Sequence, residues 1–204
     1  MKVGRFVTHF GGSILLGAVL ATAVPSRALA QDHDHGAPAQ NLSAQQKAKQ
    51  NALVAIVREA TERLRDPAVA DAEHYSLIFG CVSGGDFGAM GLHFLNGAIL
   101  DEANKTGVID PRRPQILLYE PQPNGGVKLT GADFLVDAAS WDAKHPQDPP
   151  QLAGQLFQFF DSPNRFGLKP FYTLHVWAWK DSPTGTFVNW NANVSCDAFK
   201  GEPQ

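Results

Sequence analysis

Three polar residues stand inside otherwise apolar runs, and their types could do chemistry together. His93 lies in Gly91-Leu92-His93-Phe94-Leu95, Glu120 ends Ile116-Leu117-Leu118-Tyr119-Glu120, and His175 is centred in Phe171–Trp179. If these runs are strands, alternation puts His175 on the face of Phe171, Thr173, Trp177 and Trp179, and Glu120 on the face of Ile116 and Leu118. A carboxylate among apolar neighbours needs solvent or a partner, because burying it unpaired is costly. Two imidazoles and one carboxylate on adjacent strands would form a three-ligand set with an open position, suited to zinc, copper, manganese or nickel. No local motif such as H-E-x-x-H forces the three to converge. The same residues also fit two metal-free readings: histidines packed in a core and hydrogen-bonded to a carbonyl or to Glu120, or a His–Glu acid–base pair.

A second candidate set lies near the N-terminus. Should processing leave Gln31 first, then Gln31-Asp32-His33 offers an amine, two amides and an imidazole in a square-planar arrangement for Cu(II) or Ni(II), with His35 close by. A polar spacer is the plainer reading of that tract, and cyclisation of Gln31 would remove the amine. Cys81 and Cys196, the two cysteines of the chain, read as one disulfide if the compartment is oxidising. Closing so long a loop is worth on the order of 4–5 kcal/mol in the chain-entropy model. A reactive thiol would need a neighbouring base, and Ser195-Cys196 shows none. The glycines from Gly84 to Gly91 lack the phosphate-loop pattern, and the serines lack a G-x-S-x-G elbow.

The elements that must position these residues begin with a helix. Ser43 and Gln46 form a capping box, Leu53, Ile56, Val57, Ala60 and Leu64 make an apolar stripe, and Pro67 marks the end. Before it, residues 31–40 read as a disordered leader. After it, short strands are expected at Tyr75–Val82, Leu92–Leu95, Ile116–Glu120, Val127–Val136 and Phe171–Trp179. Pro121-Gln-Pro-Asn-Gly-Gly marks a hairpin, residues 98–115 read as a long connection, residues 141–150 as a Pro-rich loop, and residues 187–196 as an irregular tail pinned by the disulfide.

The first thirty residues describe an address. Lys2 and Arg5 precede an apolar stretch from Phe10 to Val24, and Ala28-Leu29-Ala30 supplies an A-x-A processing site, the order of a secretory signal peptide. The stretch is shorter than the roughly 20 residues of a spanning helix. The chain of 204 residues has a net charge of −3, and removal of Lys2, Arg5 and Arg27 makes it more acidic. That balance offers no electrostatic pull toward nucleic acid or anionic lipid.

Met90-Gly-Leu-His93-Phe-Leu-Asn96, Leu118-Tyr-Glu120-Pro121, Leu174-His175-Val-Trp177 and Asn191-Ala-Asn193-Val-Ser195-Cys196 together resemble a group of exported bacterial proteins of unassigned function. The resemblance runs from the Tyr75 region to Cys196. It implies export and brings no reaction, ligand or catalytic residue with it.

The expectation is therefore one α+β domain over residues 41–204, with the N-terminal amphipathic helix packed on an antiparallel sheet and stapled by Cys81–Cys196. It would be exported to the periplasm or secreted. The working function is divalent-metal binding through His93, Glu120 and His175. The alternative is a metal-free envelope binding or structural domain, with a small ligand or none.

Overall fold

Helix α1, Ala44–Thr61, starts where the capping box places it in this computed structural model, which describes residues 42–201. The Ser43 hydroxyl accepts from the Gln46 backbone N–H at 3.2 Å, and the Gln46 side chain accepts from the Ser43 N–H at 2.9 Å. Leu53 and Val57 are buried against Ala132, Phe134, Leu174 and Val176 of the sheet, so the apolar stripe is the docking face. Pro67 does more than end this helix. After a turn of 3₁₀ helix at Glu62–Arg65 it opens α2, Pro67–Ala72, with Asp66 as N-cap accepting from the Ala68 N–H at 2.9 Å. Proline suits the first helical turn because its missing N–H has no intrahelical partner there.

The sheet holds six antiparallel strands. They are β1 Ser76–Ser83, β2 Ala89–Leu95, β3 Ile116–Pro121, β4 Val127–Asp137, β7 Gln158–Phe160 and β8 Phe171–Val176, in the spatial order β1-β2-β3-β4-β8-β7. The short pair β5 Gln151–Leu152 and β6 Gln155–Leu156 stands apart as its own ribbon. Residues 98–115 are not simply a connection. They contain most of α3, Gly97–Thr106, capped by Asn96, whose side chain accepts from the Ile99 N–H, and closed by Gly107 at φ 69°. Both punctuation residues belong to helix ends, and the Pro signals at 111 and 114 lie beyond them. A second short helix, α4 Ala138–Asp142, follows β4 directly and runs into the Pro-rich loop.

Strand pairing sorts the side chains onto two faces. Leu92, Leu117, Tyr119, Ala132, Phe134 and Leu174 pack toward the helices. His93 is paired with Leu118, Ile116 with Asp133, and Asp133 with His175. With a two-residue period, these residues share the opposite face. Beyond Val176 the alternation stops. The Ala178 N–H donates to the Val176 carbonyl at 2.8 Å, and Trp179 swings to the helix side, where its Nε1 donates to Thr61 Oγ1 at 2.9 Å. Trp179 therefore does not share the His175 face, contrary to a straight reading of the strand.

The tail is irregular, as its sequence suggests, and lies across the start of β2. Ala89 and Asn191 form an isolated bridge, and the Cys81–Cys196 disulfide ties the tail to β1 with Cα atoms 5.7 Å apart. Gly88 makes the approach possible: its φ is +88°, and a Cβ there would lie 2.2 Å from the Asn191 carbonyl oxygen. No helix among the described residues is long and apolar enough to cross a membrane.

Candidate metal centre

Three strands bring His93, Asp133 and His175 together. His93 and Asp133 sit near the middle of β2 and β4, and His175 one residue before the end of β8. Each offers one ligand atom, and these atoms all lie within 4.8 Å of one another. The three side chains are buried, at 4 %, 2 % and 3 % exposure. Around an ion with bonds of about 2.0–2.1 Å, two tetrahedral ligand atoms stand about 3.3–3.4 Å apart. Small side-chain rotations would close the difference.

The hydrogen bonds leave the right atoms available. His93 Nδ1 lies 3.2 Å from the Gly91 carbonyl oxygen. A carbonyl can only accept, so this contact puts the proton on Nδ1 and leaves a lone pair on Nε2, the arrangement common at metal-binding histidines. Asp133 Oδ1 accepts from the Thr173 hydroxyl. Neither ring nitrogen of His175 has a hydrogen-bond partner among the described residues. The Asn189 amide, which donates to Gln158 Oε1, lies close enough to His175 to act on its titration but makes no hydrogen bond of normal geometry to either ring nitrogen.

Burial controls the protonation of the group. It drives the His93 imidazole down to about 4, with His175 assisting and Asp133 and Gly91 opposing. It drives His175 down to about 3, with the side chain of Asn189, near hydrogen-bonding range of the ring, pulling the other way. Asp133 is pushed up to about 6 by the same burial, against the pull of His93, Thr173 and the Leu174 backbone. Both imidazoles are therefore neutral near pH 7, the form in which histidine ligates a metal.

The carboxylate is not the one expected. Glu120 lies four residues along β3 from Ile116, the partner of Asp133, which displaces it by about 13 Å at strand rise. It is taken up by another task. Lys180 Nζ donates to its two oxygens at 2.7 and 2.6 Å, and the Ser195 N–H donates to Oε1 at 3.0 Å. This clamp holds the tail beside Cys196. Asp133 carried the same signal as Glu120, an acid inside the apolar run Gly131-Ala-Asp133-Phe-Leu135. Projecting the hairpin register from the Pro121–Val127 pair would have placed Ala132 opposite Ile116 and turned Asp133 to the other face; the one-residue register shift between Leu118 and Tyr119 is what brings Asp133 opposite Ile116, on the His93 face.

The group forms the floor of a pocket of about 310 Å³, counting the part open to solvent. Its walls are apolar, among them Phe79, Leu135, Phe166 and Phe171. Phe79 lies within the register shift between Leu77 and Cys81 of β1, with its ring 6.1 Å from that of His93. Gln31-Asp32-His33, His35 and the expected signal segment lie outside the described residues. No family model matches the chain, and no curated protein or solved structure matches it.

Proposed function

We propose that this protein binds a divalent first-row metal ion through His93, Asp133 and His175. The observation that carries the reading is His175: two ring nitrogens, buried and without a hydrogen-bond partner, beside a buried carboxylate and a second imidazole. Buried polar atoms are almost always satisfied, and an orphaned imidazole costs about 1–3 kcal/mol. A metal ion would supply the missing partner for all three residues at once. The donor set, two nitrogens and one oxygen, suits zinc, manganese, iron(II), nickel or copper better than calcium or magnesium, which favour all-oxygen shells.

Three protein ligands would leave positions open toward the pocket. An ion there would serve as a Lewis acid or lower the pKa of a bound water. The residues around it support that arrangement: Thr173 orients Asp133, and Gly91 orients His93. The disulfide supports the accompanying proposal of export to an oxidising compartment. Mass analysis of the mature chain, expected to begin at Gln31, tests the export reading.

The test of the metal reading is elemental analysis of untagged protein purified from the host envelope, beside a His93→Ala/His175→Ala variant. One equivalent of metal in the parent protein and none in the variant is the expected result. No metal in the parent, even after zinc, manganese, iron(II), nickel and copper are offered, would leave a metal-free binding domain.

A further inference from the structure

The six-stranded sheet has two edges, β1 and β7, and His93, Asp133 and His175 stand on strands between them. Residues 161–170, which join β7 to β8, reach from one edge to the other. They bring Phe166 and Leu168 into the pocket wall. The Phe166 ring lies 5.4 Å from that of Phe79 on β1 and 6.2 Å from that of Phe160 on β7. The packed wall leaves about 20 Å³ above the three polar side chains, room for about one water molecule. With the segment in this position, nothing larger reaches the group.

The segment is tied together from within. The Asn164 side-chain nitrogen donates to the Asp161 and Leu168 carbonyls at 2.9 and 3.0 Å, and its side-chain oxygen accepts from the Phe166 and Leu168 N–H groups at 3.2 Å each. Attachments to the rest of the chain are fewer. At the β8 end the Pro170 carbonyl accepts from the Ala138 N–H at 3.0 Å. Across the gap, Arg165 donates to the Ser83 carbonyl at 3.0 Å and stands over the Trp190 ring at 5.7 Å, while Phe166 packs on Phe79. Trp190 is itself closely seated, since a Cβ on Gly84 would meet its ring at 2.6 Å. Asp161, Ser162, Pro163, Arg165, Gly167 and Lys169 are exposed. A segment bonded mainly to itself and largely exposed opens as a unit at low free energy.

We propose that residues 161–170 form a strap that gates the metal group, lifting off Phe79, Ser83 and Trp190 to let an ion in or out. This rests on the metal reading above and adds the route by which an ion reaches side chains as buried as these. The strap contributes none of the three ligands. Loosening it therefore changes how fast an ion moves and not how tightly it is held.

The experiment uses the full processed chain and zinc. Zinc content is measured first, then release to a chromogenic chelator and uptake by the metal-free chain in stopped flow, and affinity by chelator competition. Phe166→Ala and the exposed change Arg165→Gln should each speed release and uptake together, by about threefold to tenfold, and leave the affinity within about twofold. Phe159→Ala, an exposed change on β7 away from the strap contacts, should leave both rates as they are. Unchanged rates in both strap variants overturn the gate alone, as does faster release with unchanged uptake and a matching loss of affinity, the pattern of a damaged site. A chain that takes up no zinc or other offered metal overturns the metal reading and this proposal with it.

Discussion

Asp133 and His175 are direct partners across β4 and β8, and Oδ1 of one lies 3.8 Å from Nδ1 of the other. That separation is too long for a hydrogen bond, which for N–H···O runs about 2.7–3.2 Å. It is close to the spacing of about 3.3–3.4 Å expected for two ligands on one tetrahedral ion. Two polar groups buried this near each other and not bonded are positioned for a third body. The expected consequence is that Asp133→Asn lowers metal affinity at least 100-fold in a chelator competition, while Glu120→Gln leaves it within about threefold. Equal losses in the two variants would argue that the effect is one of folding.

The unpartnered His175 nitrogens should make the metal-free protein less stable than it could be. Leucine fills similar space without polar atoms, so His175→Leu is expected to stabilise the metal-free chain by about 1–3 kcal/mol in urea unfolding with chelator present. The same variant should gain nothing from added zinc, whereas the parent should gain. Destabilisation of the metal-free chain by His175→Leu would mean that the imidazole already has a structural partner.

Thr173 donates to Asp133 and is not itself one of the three proposed ligands. Removing its hydroxyl leaves the carboxylate free to rotate, and changes of this kind at metal sites typically cost 10–100-fold in affinity. Thr173→Val should therefore retain the metal at high concentration but release it to a chelator 10–100-fold more readily. Thr173→Ser, which keeps the hydroxyl, should restore most of the affinity.

The Cys81–Cys196 bond spans 115 residues and anchors the tail that crosses β2. Replacing both cysteines by alanine is expected to cost about 2–5 kcal/mol in denaturant unfolding. Glu120, which holds Ser195 and Lys180, should become more sensitive in that background. Glu120→Gln should then cost more than it does in the disulfide-bonded protein, and simple additivity of the two changes would show that the clamp and the bond act independently.

Tyr75 gives a pH dependence whose sign follows from its burial. Its hydroxyl donates to the Pro114 carbonyl at 2.8 Å, and burial pushes its pKa up to about 12. The unfolded tyrosine ionises near 10, so over this interval the folded chain binds more protons than the unfolded one. Its contribution is fully present below about pH 10 and is lost as the pH rises toward 12. Tyr75→Phe should cost about 1 kcal/mol at neutral pH and flatten the alkaline decline. Parallel declines in the two proteins would assign the effect to other groups.

Much of the fold was legible because it rests on local rules. The Ser43–Gln46 capping box and the Leu53/Val57 stripe specify α1 within a few turns of chain. The apolar runs at 116–120 and 127–136 flank a strong turn, and they form the β3–β4 hairpin. The pair of cysteines identifies the disulfide by elimination. The helix α3 was less legible, since its cap Asn96 and its closing Gly107 read equally well as loop residues.

The candidate site divides along the same line. Sequence by itself determined that His93 and His175 are polar residues facing one side of apolar strands, because a period of two is a property of each strand alone. Which carboxylate joins them was decided only by tertiary structure. Glu120 and Asp133 are both acids in apolar strands, and the difference between them is register: Asp133 pairs with His175, whereas Glu120 lies further along β3, where the returning tail brings Lys180 and Ser195 to it. The aromatic wall was likewise invisible in the chain, since Phe79, Phe160, Phe166 and Phe171 meet only when the first strand, the last two strands and the loop between them close over one face of the sheet. Alternation is written locally in each strand; register and closure depend on how distant strands pack, and the site exists only where those distant choices coincide.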